Sequence, residues 1–130
     1  MVATPTSTFG LPEILFGLLP ANVLPYLVRK IGPAKASRAT ILHETISASK
    51  ALELGLVDDV NENLNESLRK LSLKLLRVDP NTFMALKTLM NQIAPVSAEA
   101  IKAAQVCFTS LISEPKNVEK IKLFLSTQES

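Results

Sequence analysis

The chain has 130 residues, of which 47% are hydrophobic, and this length and composition fit one globular domain with a substantial core. The net charge of +2 is spread along the sequence, with no basic block beside stacking aromatic residues, which argues against a nucleic-acid-binding surface. A single cysteine excludes an internal disulfide and favours a reducing, cytoplasmic setting.

The longest apolar stretch runs from Phe9 to Val28 and contains one charged residue, Glu13. It has the length of a membrane span, but Pro12, Pro20 and Pro25 interrupt it. Proline removes a backbone donor and costs about 3 kcal/mol inside a helix. We therefore predict a broken pair of buried helices here and no membrane span. The residues before this stretch lack the charged start and apolar middle of a signal peptide.

Proline, glycine and capping residues predict the elements before Asn61. They indicate the end of a strand, four short helices and one extended piece. The predicted ranges are, in order, 1–9, 12–19, 22–30, 33–42, 48–54 and 56–60, with a turn at Pro5, a cap at Ser47 and a helix end at Gly55.

Beyond Asn61 the sequence predicts regular amphipathic helices. Asn63, Asp79 and Ser97 are candidate N-cap residues, and Pro115 starts the last helix. Apolar residues recur at spacings of three and four, which we interpret as the core-facing sides of these helices. The stripes comprise Leu64, Leu68, Leu71, Leu75 and Val78; Phe83, Leu86, Met90 and Ile93; Ile101, Ala104, Phe108 and Leu111; and Val118, Ile121 and Leu125.

Several familiar catalytic and binding motifs are absent from the sequence. One histidine and one cysteine cannot form a Cys/His zinc site, and four isolated glycines cannot form a phosphate-binding loop. Cys107 lies among apolar helix positions and is interpreted as an inert core thiol. His43 lies beside Glu44 in a polar loop and is interpreted as a surface residue.

Glu13 allows two interpretations. An acidic residue in the first turn of a helix is stabilised by the helix dipole by about 0.3–1 kcal/mol, which needs no function. However, Leu11, Ile14, Leu15 and Phe16 would surround its carboxyl group with apolar surface. Enzymes use carboxyl groups in such surroundings to give and take protons. That chemistry suits the addition or removal of water at an activated carbon–carbon double bond.

Three blocks of the sequence resemble the crotonase (enoyl-CoA hydratase/isomerase) superfamily. They are FGLPEILFGLLP (9–20), RKIG (29–32) and ISASKALELGLVDDV (46–60), in the order and spacing of that superfamily. The resemblance implies a mostly α chain: the C-terminal part of a ClpP-like β-β-α spiral fold with a remnant β-strand at its N-terminus. Residues 1–60 would end the spiral core and form an active-site wall, and residues 61–130 would form a helical trimerisation region.

The segment LPEILFGLLPANVLPYLVRKIG (11–32) looks most like the enoyl-CoA hydratase-like proteins of bacterial polyketide synthase clusters. The resemblance implies a lyase that dehydrates a 3-hydroxy-3-methylglutaryl thioester to a 3-methylglutaconyl thioester during β-branching. It implies no cofactor, since the substrate is carried as a thioester of CoA or of an acyl carrier protein. The implied partners are an acyl carrier protein and further copies of the full-length parent, as a cytoplasmic homo-trimer or hexamer.

The resemblance also assigns roles to four residues. Glu13 matches the second catalytic glutamate of the hydratases, and Leu11 matches an acyl-pocket position. Ala21 stands where the hydratases have a glycine whose backbone N–H helps to hold the water. Phe124 matches an aromatic position of the C-terminal helix near the thioester carrier.

The family is about twice as long as this chain. Its first half supplies the spiral core, the oxyanion-hole amides and the first catalytic glutamate, so the resemblance implies that Met1 is an internal methionine of a longer protein. Oxyanion donors contribute about 2.7–4 kcal/mol each, so we expect little thioester chemistry from this chain alone. Two alternatives remain open: a non-catalytic helical oligomerisation or binding module, and an isomerase or decarboxylase of the same superfamily.

Overall fold

The computed structural model describes residues 1–128. Four two-residue strands, one 3-10 helix and seven α-helices follow one another in this part of the chain. Their bounds are β1 Val2–Ala3, β2 Thr8–Phe9, the 3-10 helix Pro12–Phe16, α1 Leu24–Ile31, α2 Pro33–Leu42, β3 Ile46–Ser47, α3 Ala48–Leu54, β4 Asp59–Val60, α4 Leu64–Leu75, α5 Pro80–Ile93, α6 Ala98–Ile112 and α7 Pro115–Gln128.

The chain divides into two compact units, and each is built from separate stretches of sequence. The first unit combines residues 1–9 with 46–96, and the second combines residues 10–45 with those from 97 onward. The bounds of these units differ from the predicted division between residues 60 and 61, and that division stays a prediction.

In the first unit, each strand pairs with a partner distant in sequence. β1 runs parallel to β4, with Ala3 opposite Val60, and β2 runs antiparallel to β3, with Phe9 opposite Ile46. The predicted strand end within residues 1–9 is thus two short strands. The turn predicted at Pro5 separates them.

The core of the first unit is small and consists mostly of alanine. Its fully buried residues come from β1, α3 and the segment after α3, and half-buried neighbours pack around them. The buried members are Ala3, Ala48, Ala51 and Val57, and the half-buried members are Phe9, Ile46, Leu56 and Val60. Only Asp59–Val60 of the predicted extended piece 56–60 forms a strand, since β1 is only two residues long.

The apolar stripes of α4 and α5 are not buried in this chain, which corrects their interpretation as core. Leu75 and Leu86 are more than half exposed, and Ile93 is 67% exposed. The periodicity located a helix face correctly, but the residues of that face stay largely exposed in the described chain. Cys107 on α6 is also exposed, so it is not the core thiol that the sequence suggested.

The second unit consists of the 3-10 helix, α1, α2, α6 and α7. α2 has the predicted bounds, whereas α1 starts at Leu24 and not at Asn22, because a turn closed by the Leu24 N–H and the Pro20 carbonyl precedes it. The helix predicted over 12–19 is a 3-10 helix that ends at Phe16, and none of its residues is fully buried. His43 is exposed, as predicted.

The N-cap residues predicted for α3, α4, α5 and α6 are confirmed. In α6, the Ser97 hydroxyl accepts a hydrogen bond from the Ala100 N–H at 3.0 Å.

We expect Ser97→Ala to lower the free energy of unfolding by about 1 kcal/mol, because the Ala100 N–H loses its acceptor. Urea unfolding of the two proteins measures the difference. The matched control is Ser110→Ala, an exposed position inside the same helix, for which we expect no loss; equal losses would contradict the capping role.

Two further observations concern residues 1–128 alone. In this range, each helix is too short or too polar to cross a bilayer. The same range contains no group of three or more His, Cys, Asp and Glu side chains that could hold a metal ion.

Candidate functional site

Glu13 lies on the 3-10 helix, which begins at a proline and ends at a glycine. Pro12 occupies the first turn, where its fixed φ suits a helical start. Gly17 ends the helix with φ of 76°, a left-handed conformation that side chains disfavour. The Gly17 N–H donates to the Ile14 carbonyl at 3.0 Å, and the Leu18 N–H donates to the Glu13 carbonyl at 3.1 Å.

The carboxyl group of Glu13 is the chemically unusual feature of this helix. Its Oε2 atom is buried and has no hydrogen-bond partner among the described residues. Leaving a buried polar group without a partner costs about 1–3 kcal/mol, so each such group calls for an explanation. An acid or base that meets its partner in the substrate is one explanation, and it agrees with the apolar setting predicted for Glu13.

A second polar side chain, Asn117 of α7, holds the end of the Glu13 helix. Asn117 is 1% exposed, and its Nδ2 donates to the Gly17 carbonyl at 3.2 Å and to the Leu111 carbonyl at 2.8 Å. A Cβ atom on Gly17 would lie 2.0 Å from Asn117 Oδ1. Glycine is therefore required at position 17 by close approach as well as by φ.

An aromatic pair joins the same two elements. The rings of Phe16 and Phe124 have centroids 4.8 Å apart and planes inclined at 59°. Such tilted pairs contribute about 0.5–1.5 kcal/mol beyond their burial. The structure thus brings Phe124 against the helix that carries Glu13, while 42% of Phe124 stays exposed.

The other two predicted site residues lie before and after this helix. Leu11 is the N-cap residue and is half-buried. Ala21 is 5% exposed, and its N–H donates to the Leu19 carbonyl at 2.8 Å. The role of that N–H in holding water stays a prediction, and it requires the turn between Leu19 and Ala21 to release it.

A largely apolar cleft of about 300 Å³ lies within the second unit. One side comes from the apolar stretch 9–28, and the other comes from α2 and the proline that starts it. The lining residues are Ile14, Leu19, Leu24, Val28, Pro33, Ser37, Thr40 and Ile41. Such a lining suits an apolar group of a ligand. Glu13 precedes a lining residue in sequence but does not itself line the cleft.

Sequence reasoning missed Gly17 and Asn117. One signal for Asn117 was present: it lies four residues before Ile121 and seven before Phe124, so it is a polar residue at the end of an apolar helical stripe. The signal for Gly17 was its position after a short proline-initiated helix.

The chain matches a known protein family. The model described as enoyl-CoA hydratase/isomerase matches residues 1–130. Among curated proteins, bacillaene synthase dehydratase PksH of Bacillus subtilis is 34% identical over 126 residues, which are 97% of this chain and 49% of that protein. The 2,3-dehydroadipyl-CoA hydratase of Escherichia coli is 33% identical over 129 residues, covering 96% of this chain and 51% of that protein.

Solved structures of enoyl-CoA hydratases also match this chain. A Bacillus subtilis structure named for a polyketide biosynthesis enoyl-CoA hydratase (pksH) has 35% identity and a TM-score of 0.84, over 89% of this chain and 46% of that one. An enoyl-CoA hydratase from Mycobacterium avium has 26% identity and a TM-score of 0.86, over 97% and 51% of the two chains. The chain spans about half the length of the curated relatives that it matches.

Proposed function

Because the chain belongs to the enoyl-CoA hydratase/isomerase family, we propose that it supplies one catalytic wall of a lyase that removes water from a 3-hydroxyacyl thioester. The observation that carries the proposal is the buried carboxyl oxygen of Glu13, which lacks a protein partner among the described residues. A substrate hydroxyl placed against it would complete its hydrogen bonding.

In this reaction Glu13 acts as the general acid. A base removes the proton on C2, the bond between C3 and its oxygen breaks, and the C2–C3 double bond forms. Glu13 gives its proton to the departing hydroxyl, which leaves as water. The family resemblance assigns the base and the amides that stabilise the thioester enolate to the part of the relatives that this chain does not span.

The finer proposal concerns the substrate. The sequence resemblance implies a 3-hydroxy-3-methylglutaryl group carried on an acyl carrier protein, and similarity to the Bacillus subtilis protein named as a dehydratase of bacillaene synthase supports dehydration as the reaction. The product would be the 3-methylglutaconyl thioester. The chemistry needs no metal or redox cofactor, since the thioester itself activates C2. The setting proposed for the protein is the cytoplasm.

The test compares this chain alone with a fusion that completes it. The fusion places, before Met1, the part of the Bacillus subtilis relative outside the match. We expect the fusion to dehydrate the carrier-bound substrate and the 130-residue chain to be slower by a factor of at least about 10⁴, because two oxyanion donors are each worth about 10²–10³ in kcat. A separately folded mixture of the two parts is the control for assembly. An inactive fusion with native-like stability would contradict the proposal, and product without loss of water would favour an isomerase or decarboxylase.

The second candidate function is a helical oligomerisation module. The exposed apolar residues on α4 and α5, such as Leu71, Leu75 and Leu86, favour it, because contiguous exposed apolar surface marks interaction sites. The proposed assembly is a homo-trimer or hexamer of the full-length parent. Light scattering on the fusion measures its mass. A monomer would contradict the assembly without bearing on Glu13.

A further inference from the structure

Asn117 has the geometry of a clamp between distant parts of the second unit. It has the most deeply buried polar side chain among those described as buried, and both Nδ2 hydrogens have an acceptor. One acceptor, the Leu111 carbonyl, belongs to the last turn of α6. The other, the Gly17 carbonyl, is 100 residues away in sequence. A side chain needed only to join α6 to α7 would not require the second bond.

The hydrogen bond from Asn117 to the Gly17 carbonyl is linked, through one peptide group, to the backbone of Glu13. The Gly17 carbonyl and the Leu18 N–H belong to one peptide group, which is planar and rigid. Asn117 donates to the oxygen of this group, and the N–H of the same group donates to the Glu13 carbonyl at 3.1 Å. Two hydrogen bonds and one rigid plane therefore link the Asn117 amide to Glu13, whose Oε2 atom is buried without a partner among the described residues.

We propose that Asn117 is a positioning residue, which fixes the direction of the Glu13 carboxyl group by holding the Gly17–Leu18 peptide. The expected effect of Asn117 on catalysis rests on the proposed function. Its expected effect on the turn rests on geometry alone. The ring contact of Phe16 with Phe124 joins the same helices but acts through side chains, so it can keep the helices together without setting the rotation of this peptide.

The experiment uses Asn117→Ser and Asn117→Asp. Serine is smaller and retains one donor, whereas aspartate keeps the size of asparagine and, when ionised, cannot donate. Amide hydrogen exchange, measured on the 130-residue chain, reports how often the turn at Gly17 and Leu18 opens. We expect exchange at the Leu18 amide to rise about tenfold or more in both variants, and exchange at the Ala100 amide, a capping bond in the same unit, to change less than about threefold. Circular dichroism verifies that each variant is folded; if aspartate unfolds the chain, the serine variant carries the test.

The catalytic part uses the fusion described above. We expect kcat to fall about 10- to 100-fold with KM within about threefold, because a misdirected acid slows the chemical step without weakening binding. Asn65→Asp makes the same change at an exposed position and is the matched control. It should change neither the exchange rate of the Leu18 amide nor kcat.

Each outcome is distinguishable. Unchanged exchange at Leu18 overturns the clamp, whatever the activity. Faster exchange with unchanged kcat overturns the positioning role. Full activity of Glu13→Gln overturns the proposed function and, with it, the catalytic half of the inference, while the exchange result still decides whether the clamp exists.

Discussion

Glu13→Gln is expected to lower kcat for dehydration by about 10²–10⁴-fold in the fusion, the range that general acid–base catalysis contributes. Glutamine has the size of glutamate and can donate a hydrogen bond, but it cannot give up a proton to the departing hydroxyl. Because it preserves contacts in the ground state, KM should change little. The fall should therefore appear equally in kcat and in kcat/KM, as expected for an interaction made only in the transition state.

The matched control is Glu44→Gln, at an exposed position beside His43 in the same unit. It makes the same chemical change outside the Glu13 helix and should leave the kinetics unchanged. A second test uses a substrate in which a better leaving group replaces the hydroxyl. Such a group needs less protonation to depart, so this substrate should recover part of the rate that Glu13→Gln loses. Wild-type kcat in that variant would remove Glu13 from the mechanism.

Gly17→Ala has the largest expected effect on stability, a loss of about 2–5 kcal/mol from the free energy of unfolding. Two costs combine in this estimate. Alanine is strained at φ of 76°, and its Cβ would lie 2.0 Å from Asn117 Oδ1, which forces the buried amide away from its acceptors. Urea unfolding of the 130-residue chain measures the loss.

Gly55 offers a control that separates the two costs. It ends α3 with φ of 82° and ψ of 16°, nearly the values of Gly17, but no heavy atom lies within 4 Å of the position that a Cβ would take there. Gly55→Ala should therefore lose only the backbone strain, about 1–2 kcal/mol. The double variant Gly17→Ala/Asn117→Ala should lose less free energy of unfolding than the sum of the losses in the two single variants. The reason is that alanine at position 117 removes the Oδ1 atom that the new Cβ would meet. Equal losses at the two glycines would contradict the close-contact explanation.

Local structure was predictable where one side chain decides it. Asn63, Asp79 and Ser97 each accept the expected backbone N–H three residues later, because a cap depends only on its neighbours. The helix predicted over 12–19 was too long because the left-handed turn at Gly17 ends it. That turn depends in part on Asn117, and no local pattern around residue 17 indicates such a partner.

Burial was predicted less well than helix positions. The spacing of Leu68, Leu71 and Leu75 identifies one side of α4, and the structure has a helix there, yet these residues are exposed in this chain. Periodicity indicates which face is apolar and not what covers it. Cys107 was assigned to a core on the same reasoning, and it is exposed for the same reason.

The fold class came from a resemblance and is confirmed by the matches to crotonase-family structures. The roles of the candidate site residues stay predictions. An apolar setting for Glu13 was predicted from its sequence neighbours Leu11, Ile14 and Phe16, and the structure buries its Oε2 atom. The clamp by Asn117 could not be predicted in this way, since it depends on a contact between residues 100 positions apart.

That separation also sets an order of events during synthesis. A ribosome adds about 5–20 residues per second, so about 5–20 s pass between the addition of Gly17 and that of Asn117. Throughout this interval the Gly17 carbonyl lacks its partner, and the Glu13 turn is shaped by local bonds alone. A nascent chain arrested before Asn117 would already hold Glu13 and the cleft residues but could not yet fix the turn. The Glu13 turn would therefore be fixed only after α7 has been synthesised.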